Sequence, residues 1–200
     1  MIFRQLFDAQ SSTFTYLLAD ESTREAALID PVIENVERDL ALVRDLELTL
    51  AYVLDTHVHA DHVTGAGAIR ERTSARTVSS RSGAPCADVH VGHGDVLHLG
   101  TIAIHVLATP GHTDDSVSYR VGSRVFTGDA LLVRGCGRTD FQNGDPRALY
   151  ASLTKVLFAL PDFRSLFQSH ARTRDVTVRD VAWRRADARQ PSALPVQRRR

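Results

Sequence analysis

Residues 52–62 read Tyr-Val-Leu-Asp-Thr-His-Val-His-Ala-Asp-His. An apolar run that ends in histidines and aspartates is typical of a buried strand that delivers its last residues to a polar site. Imidazoles two positions apart can point to one side of an extended backbone, so His57 and His59 can share that site. A solvated polar loop is the alternative, but three of the chain's nine histidines fall within this stretch. The cluster therefore predicts a site for a divalent first-row metal ion.

The overall composition limits the kinds of protein to consider. Two hundred residues with 43% apolar content are enough for one compact domain with its own core. The formal net charge is zero, so we expect neither a nucleic acid nor a membrane as partner. No apolar run approaches the roughly 20 residues that span a bilayer, and the N-terminus lacks the pattern of a secretory signal. Cys86 and Cys136 form no disulfide framework, which indicates a reducing, cytoplasmic location.

Strand and helix patterns alternate along the first 170 residues. Alternating or continuous apolar runs predict strands at residues 2–7, 13–18, 26–29, 48–54, 77–80, 95–99, 102–107, 116–121, 124–127 and 166–168. Helices are predicted at residues 32–46, 63–72 and 146–160. Four further histidines lack metal-ligand spacing and are expected on the surface: His90, His93, His98 and His105.

The polar clusters all follow predicted strands. The stretch His57–His62, then His112, Asp129 and His170, each come where a strand ends. Strands and helices in this alternation favour an α/β fold with two sheets layered between helices. Four loops that meet at the same edge of the stacked sheets would bring these side chains to one metal site.

The order of these motifs resembles that of the metallo-β-lactamase superfamily. The motifs are Thr-His-Val-His-Ala-Asp-His at residues 56–62, Pro-Gly-His-Thr at 110–113 and Thr-Gly-Asp at 127–129. The resemblance implies an αββα sandwich, in which helices flank two stacked mixed sheets and the metal lies at one sheet edge. We expect one such domain over residues 1–189, followed by a disordered basic tail at 190–200.

Within that superfamily, residues 128–142 resemble the persulfide dioxygenase group. The run is Gly-Asp-Ala-Leu-Leu-Val-Arg-Gly-Cys-Gly-Arg-Thr-Asp-Phe-Gln. Glyoxalase II enzymes carry a similar Gly-Cys-Gly-Arg, but the Thr-Asp-Phe-Gln continuation and Ser-Gly-Ala at 82–84 favour the dioxygenase. Glyoxalase II also usually adds a helical C-terminal domain, for which this chain ends too soon.

The resemblance implies that His57, His112 and Asp129 are the metal ligands and the catalytic centre, with one Fe(II) per chain. Two imidazoles and one carboxylate leave coordination positions open, as in non-haem Fe(II) oxygenases. Four neighbouring residues would either bind a second metal ion, as in a dinuclear hydrolase, or orient the ligands of a single iron: His59, Asp61, His62 and His170. Two zinc ions per chain therefore stay open as the alternative cofactor.

The reaction implied by the resemblance is oxidation of glutathione persulfide by O2 to sulfite and glutathione. Arg138 is a candidate to bind a glutathione carboxylate, with Asp140 holding it, and Arg172 is a second candidate. A purely structural Arg138–Asp140 pair is equally compatible with the sequence. No histidine base stands beside Cys136 in the sequence, so a nucleophilic role for this thiol is not favoured. The group often dimerises, which leaves a homodimer open.

Two rival functions fit parts of the same pattern. A dizinc thioesterase of the glyoxalase II type would use a bridging hydroxide against a glutathione thioester. The other rival is a metal-binding protein with impaired or lost activity. It is suggested by residues 171–174, Ala-Arg-Thr-Arg, where the dioxygenase group typically continues with Asp-Tyr after the histidine.

Overall fold

The structure, a computed structural model, describes residues 1–161 and 165–170 of the chain. Within them, eleven strands form two stacked sheets. The first sheet contains, in spatial order, β1 (Ile2–Asp8), β2 (Thr13–Ala19), β3 (Glu25–Ile29), β4 (Thr49–Leu54), β5 (Arg76–Ser80) and β6 (Val89–Val91). The second runs β11 (Ser165–Gln168), β10 (Arg124–Gly128), β9 (Val117–Val121), β8 (Ile102–Ala108) and β7 (Val96–Leu99).

Both sheets are mixed. In the first, β1, β2 and β3 pair antiparallel, whereas β3, β4, β5 and β6 are parallel to one another. In the second, the hairpins pair antiparallel and only β10 and β11 run parallel. The predicted α/β class with two stacked mixed sheets is therefore confirmed.

Large apolar side chains fill the space between the sheets. The rings of Tyr16 and Phe126 lie 5.1 Å apart and those of Phe126 and Phe167 lie 5.0 Å apart, centroid to centroid. Such aromatic pairs add to the free energy gained by burying apolar area. The inward-facing residues alternate along the strands with the outward-facing ones that the helices cover.

Helices lie on the outer faces of both sheets. On the first sheet, α1 (Val36–Asp45) and α2 (Ala66–Arg72) bury Leu40 and Ile69 against β2, β3 and β4. On the second sheet, α3 (Pro146–Ala151) continues into a π-helical segment, Ser152–Leu157, which packs Leu157 in a cluster with Val125 and Leu166. No helix among residues 1–161 and 165–170 is long and apolar enough to cross a membrane.

The polar residues that follow the strands meet at one edge of the sandwich. Asp30 follows β3, Asp55 follows β4, Asp129 follows β10 and His170 lies two residues after β11. Because β3 and β4 are parallel, and β10 and β11 are parallel, their carboxyl ends point to the same side. The fold thus brings residues far apart in sequence to a common place.

Two of the predicted helices begin later than expected. Helix α2 begins at Ala66, so the prediction of helix from Val63 is wrong for its first turn. The reason is that this backbone bonds to another loop: the Ile33 N–H donates to the Val63 carbonyl at 2.9 Å, and the Gly65 N–H donates to the Pro31 carbonyl at 2.7 Å. The helix predicted at 32–46 likewise starts with a short 3₁₀ turn, Ile33–Asn35, and the α-helix α1 begins only at Val36.

Two further differences concern short elements. The three-residue strand β6 was not predicted, because so short a run shows no periodicity. The helix predicted at 146–160 widens to a π-helix at Ser152 and ends at Leu157. The Ser152 hydroxyl donates to the Pro110 carbonyl at 2.7 Å, which ties the point of widening to the loop before His112. The predicted tail at 190–200 lies outside the described residues.

Candidate metal centre

Three residues from three separate loops converge at the sheet edge: His57, His112 and Asp129, here called the triad. Each offers one ligand atom, and these atoms all lie within 4.8 Å of one another. The rings of His57 and His112 lie 5.0 Å apart between centroids, and His112 Nε2 lies 3.7 Å from Asp129 Oδ2. His57 and His112 are buried, with 3% and 9% exposed. The structure therefore brings together the residues that the sequence predicts as ligands.

A chain of hydrogen bonds orients His57. The Thr56 hydroxyl donates to Asp30 Oδ2 at 2.8 Å, so its oxygen can accept the Nδ1–H of His57 at 3.0 Å. This arrangement leaves His57 Nε2 free to bind a metal ion. Burial and the neighbouring His59 lower the pKa of His57 to about 3, so the imidazole is neutral at physiological pH. A neutral imidazole is the form that binds a metal ion.

The other two members of the triad are oriented in the same way. The Nδ1–H of His112 donates to the Arg138 carbonyl at 2.8 Å, which leaves Nε2 free. The Nδ1–H of His170 donates to Asp129 Oδ1 at 2.9 Å, while Asp129 Oδ2 faces His112. Gly137 permits this close packing, since a Cβ atom there would lie 2.4 Å from the Asp129 carbonyl oxygen and 2.7 Å from His112 Nδ1.

Beside the triad lies a second group of potential ligands, here called the neighbouring cluster: His59, Asp61, His62 and His170. Ligand atoms of His59, Asp61 and His62 lie within 4.8 Å of one another. However, Asp61 Oδ2 already accepts hydrogen bonds from His62 Nδ1 at 2.6 Å and from His170 Nε2 at 2.9 Å. Two nitrogens, His59 Nδ1 and His62 Nε2, are buried without a hydrogen-bond partner.

His170 bridges the two groups of ligands. Its two ring nitrogens donate to Asp129 and to Asp61, so both are occupied. Burial alone would lower the pKa of His170, but the two carboxylates outweigh burial and raise it to about 10. Both ring nitrogens of His170 are engaged by carboxylates, so in this arrangement it orients Asp129 and Asp61.

Sequence reasoning missed Asp30, which follows the predicted strand at 26–29. This fully buried carboxylate accepts hydrogen bonds from the Thr56 N–H at 2.7 Å, the Thr56 hydroxyl, the Ser169 hydroxyl and His59 Nε2 at 3.2 Å. Burial opposes its ionisation, but His59, His57 and the Ser169 hydroxyl hold the pKa of Asp30 well below its usual range. The available signal was an apolar strand ending in aspartate, the same pattern as Leu54–Asp55.

The predicted substrate-binding residues lie on the exposed loop after Asp129. Arg138 Nε and Nη2 donate to the two carboxylate oxygens of Asp140 at 2.7 and 3.0 Å, and the guanidinium lies 5.6 Å from the Phe141 ring centroid. More than half of each charged side chain is exposed, so the pair is open to a ligand. Arg172 lies outside the described residues. Cys136 is exposed and unpaired. The four histidines predicted on the surface are exposed.

The chemistry of the triad fits a bound metal ion. Two imidazoles and one carboxylate aim at a common point, and the second polar atom of each is held by a hydrogen bond. This is the ligand set of mononuclear non-haem iron sites, and zinc accepts the same donors. The residues present are therefore able to hold a metal ion at this edge of the sandwich.

Comparisons with known proteins identify the superfamily to which this chain belongs. The family model described as metallo-beta-lactamase superfamily matches residues 9–85 and 87–170. The mitochondrial persulfide dioxygenase ETHE1 of Mus musculus is 45% identical over 173 residues, which are 85% of this chain and 68% of that protein. A hydroxyacylglutathione hydrolase of Nitrobacter hamburgensis is 36% identical, over 84% of this chain and 66% of its own length.

Solved structures point the same way. The crystal structure of ETHE1 from Myxococcus xanthus superposes with a TM-score of 0.88 at 62% sequence identity and covers 91% of this chain and 80% of that one. At this similarity the two chains share their fold throughout the aligned region. The structure and the comparisons thus agree on the metallo-beta-lactamase fold.

Proposed function

This chain belongs to the metallo-beta-lactamase superfamily and, within it, to the persulfide dioxygenase family, and on that premise we propose that it oxidises glutathione persulfide with O2 to sulfite and glutathione. The cofactor we propose is one Fe(II) held by His57, His112 and Asp129. Persulfide, O2 and water together supply the atoms of glutathione, sulfite and the released protons. When bound, the iron supplies the redox chemistry and open coordination positions beside the three protein ligands.

The observation that carries the proposal is the contrast between free and occupied ligand atoms. In the triad, His57 Nε2 and His112 Nε2 are free, and Asp129 turns Oδ2 toward them. In the neighbouring cluster, Asp61 and His170 are already bonded to each other. This difference supports one metal ion rather than two, and a single ion with open positions suits oxygenation better than dinuclear hydrolysis.

The protein's own residues hold the ligands and position the substrate. His170 donates to Asp129 Oδ1 and so fixes which carboxylate oxygen faces the metal position. We propose that Arg138 meets a carboxylate of the glutathione moiety, because an exposed guanidinium can exchange its Asp140 partner for a ligand carboxylate. Phe141, on the loop of Arg138, and Val58, on the loop of His57, are exposed at 54% and 45% and provide apolar surface. Positioning of both reactants is the protein's contribution to rate.

Oxygen uptake tests this proposal. Protein loaded with Fe(II) under anaerobic conditions is mixed with glutathione persulfide in an oxygen electrode, and sulfite is measured at the end. We expect O2 consumption that depends on iron and on persulfide and yields sulfite in proportion. An iron-loaded sample that consumes no O2 would contradict the proposal and favour a metal-binding protein without this activity.

One observation favours a second candidate, a dizinc glutathione thioesterase. His59 Nδ1 and His62 Nε2 are buried without a partner, as they would be if a second ion were to bind them. Hydrolysis of S-lactoylglutathione by zinc-loaded protein, with two zinc ions per chain, would support this candidate. The same sample should then show no persulfide-dependent O2 uptake after iron loading.

A further inference from the structure

Val58 stands between His57 and His59, and side chains from two other loops hold both of its backbone polar groups. Its N–H donates to Asp115 Oδ2 at 2.8 Å, and its carbonyl accepts from Gln142 Nε2 at 3.0 Å. The Val58 side chain is 45% exposed, so the structure holds this residue mainly through its backbone. We call the pair Asp115 and Gln142 the Val58 clamp.

The clamp connects the three loops that carry the triad. Asp115 lies three residues after His112, and Gln142 belongs to the loop that follows Asp129. The loop of His57 is therefore tied to the loops of both other ligands through Val58. Because hydrogen bonds hold both the N–H and the carbonyl of Val58, the backbone of its neighbours His57 and His59 has less freedom to rotate.

A second contact closes the connection between the two outer loops. Asn143 Nδ2 donates to Asp114 Oδ2 at 3.3 Å, next to the clamp residues in both loops. Asp114 thus binds the loop after Asp129 by accepting from the Asn143 side chain. Asp115 binds the loop of His57 by accepting from the Val58 N–H. The three loops form a closed ring of hydrogen bonds around Val58.

The backbone around Gln142 adopts a conformation that side chains rarely tolerate. Gln142 has φ +45° and Asn143 has φ +57°, two consecutive non-glycine residues in the left-handed region. Residues other than glycine and asparagine rarely adopt this conformation, and at Gln142 it persists only because the surroundings enforce it. Here it turns the Gln142 side chain toward the Val58 carbonyl. Such local strain is characteristic of residues with a functional role.

The other half of the clamp is rigid by burial. Asp115 is 3% exposed, and a buried carboxylate requires hydrogen-bond donors such as the Val58 N–H. Gly83 approaches it so closely that a Cβ atom there would lie 3.0 Å from Asp115 Oδ2. The carboxylate is therefore closely enclosed by neighbouring atoms.

We propose that Asp115 and Gln142 are positioning residues for the metal site, which act by fixing the Val58 peptide between the two histidines of its loop. The rings of His57 and His59 lie only 4.2 Å apart, so a rotation of this peptide moves both imidazoles relative to the metal position. Loss of the clamp changes metal affinity and coordination geometry without removing any ligand. The inference rests on the proposed function only in that the triad binds a divalent metal.

Cobalt substitution tests this inference, because the visible absorption of Co(II) reports coordination geometry without any persulfide chemistry. The variants are Gln142→Met, which keeps the size and removes the donor, and Asp115→Ala. The control is Gln10→Met, an exposed residue in the turn between β1 and β2. We expect both clamp variants to bind Co(II) about tenfold or more weakly and to shift its absorption bands, the range typical of groups that orient metal ligands.

The conservative variant Asp115→Asn keeps an acceptor for the Val58 N–H, so we expect it to restore most of the affinity and the wild-type spectrum. Should Asp115→Ala fail to fold, Gln142→Met and Asp115→Asn carry the test. Unchanged Co(II) affinity and spectrum in Gln142→Met would overturn the inference, whether or not thermal stability falls. Because the readout uses Co(II) alone, a failure of the proposed persulfide oxidation would leave this result unaffected.

Discussion

The triad and the neighbouring cluster are built from the same residue types but use their polar atoms differently. In the triad, each histidine donates its second ring nitrogen to a hydroxyl or a backbone carbonyl, which leaves the other nitrogen for a metal. In the neighbouring cluster, Asp61 takes hydrogen bonds from both His62 and His170. Histidines and aspartates that lie close together therefore do not by themselves define a metal site. The two groups differ in their internal bonds: His62 and His170 donate to Asp61, whereas His112 Nε2 and Asp129 Oδ2 lie 3.7 Å apart without a hydrogen bond.

The largest expected effect follows from removing a triad ligand. We predict that His112→Ala loses its bound iron and that persulfide-dependent O2 uptake falls by more than about 100-fold, beyond the range expected for groups that only orient ligands. Metal analysis and an oxygen electrode measure both quantities. The matched control is His105→Ala, an exposed histidine on β8. Uptake that survives in His112→Ala would show that the metal is held elsewhere.

A smaller effect is expected from the residue that bridges the two groups. His170→Gln keeps a hydrogen-bond donor but removes the charge between Asp129 and Asp61, so we predict a 10- to 100-fold loss of Fe(II) affinity. The number of ions bound at saturation should stay at one per chain. If His170 were instead a ligand of a second ion, the wild type would bind two ions and the variant one. His98→Gln, exposed on β7, serves as the control.

Substitution of the exposed arginine should separate substrate binding from metal binding. We predict that Arg138→Lys raises KM for the persulfide on the order of tenfold and leaves kcat near the wild-type value, because an ammonium cannot replace a bidentate guanidinium. Steady-state kinetics with glutathione persulfide measure the two constants. A lower kcat at unchanged KM would contradict the proposal that the Arg138 side chain binds the persulfide.

The smallest expected effect is on stability and its dependence on pH. Burial raises the pKa of Asp55 to about 6, so the folded state favours its protonated form. The ionised form of Asp55 is penalised only in the folded protein, so Asp55 removes stability as pH rises from about 4 through 6, whereas His57, with its pKa of about 3, adds stability over the same range. In the metal-free protein, Asp55→Asn should therefore gain melting temperature relative to the wild type as pH rises from 4 to 6. Asp45→Asn, exposed at the end of α1, is the control.

The sequence allowed the triad loops to be located because each follows an apolar strand and ends in a residue of clear chemistry. The same reasoning missed Asp30, whose partners Thr56 and Ser169 lie 26 and 139 residues away along the chain. It missed the Val58 clamp for the same reason, since the hydrogen bond from Gln142 spans 84 residues. Periodicity and spacing describe local structure, whereas these contacts depend on how the sheets are stacked.

The boundaries of the helices show the same limit. The small residues after His62 suit a helix, yet residues 63–65 bond to the loop after β3 instead, so α2 begins at Ala66. A tertiary contact here overrides local preference. The prediction was accurate where burial alone decides, as in β2 and β4, and failed where a distant backbone competes for hydrogen bonds.

Anaerobic titration of metal-free protein with Fe(II) tests the central claim most directly, because it counts the ions that the two groups of ligands can hold. We predict one tightly bound iron per chain, with the same count in His62→Ala and none bound tightly in His112→Ala. Two tightly bound ions per chain, with one of them lost in His62→Ala, would contradict the claim that the triad alone holds a metal ion.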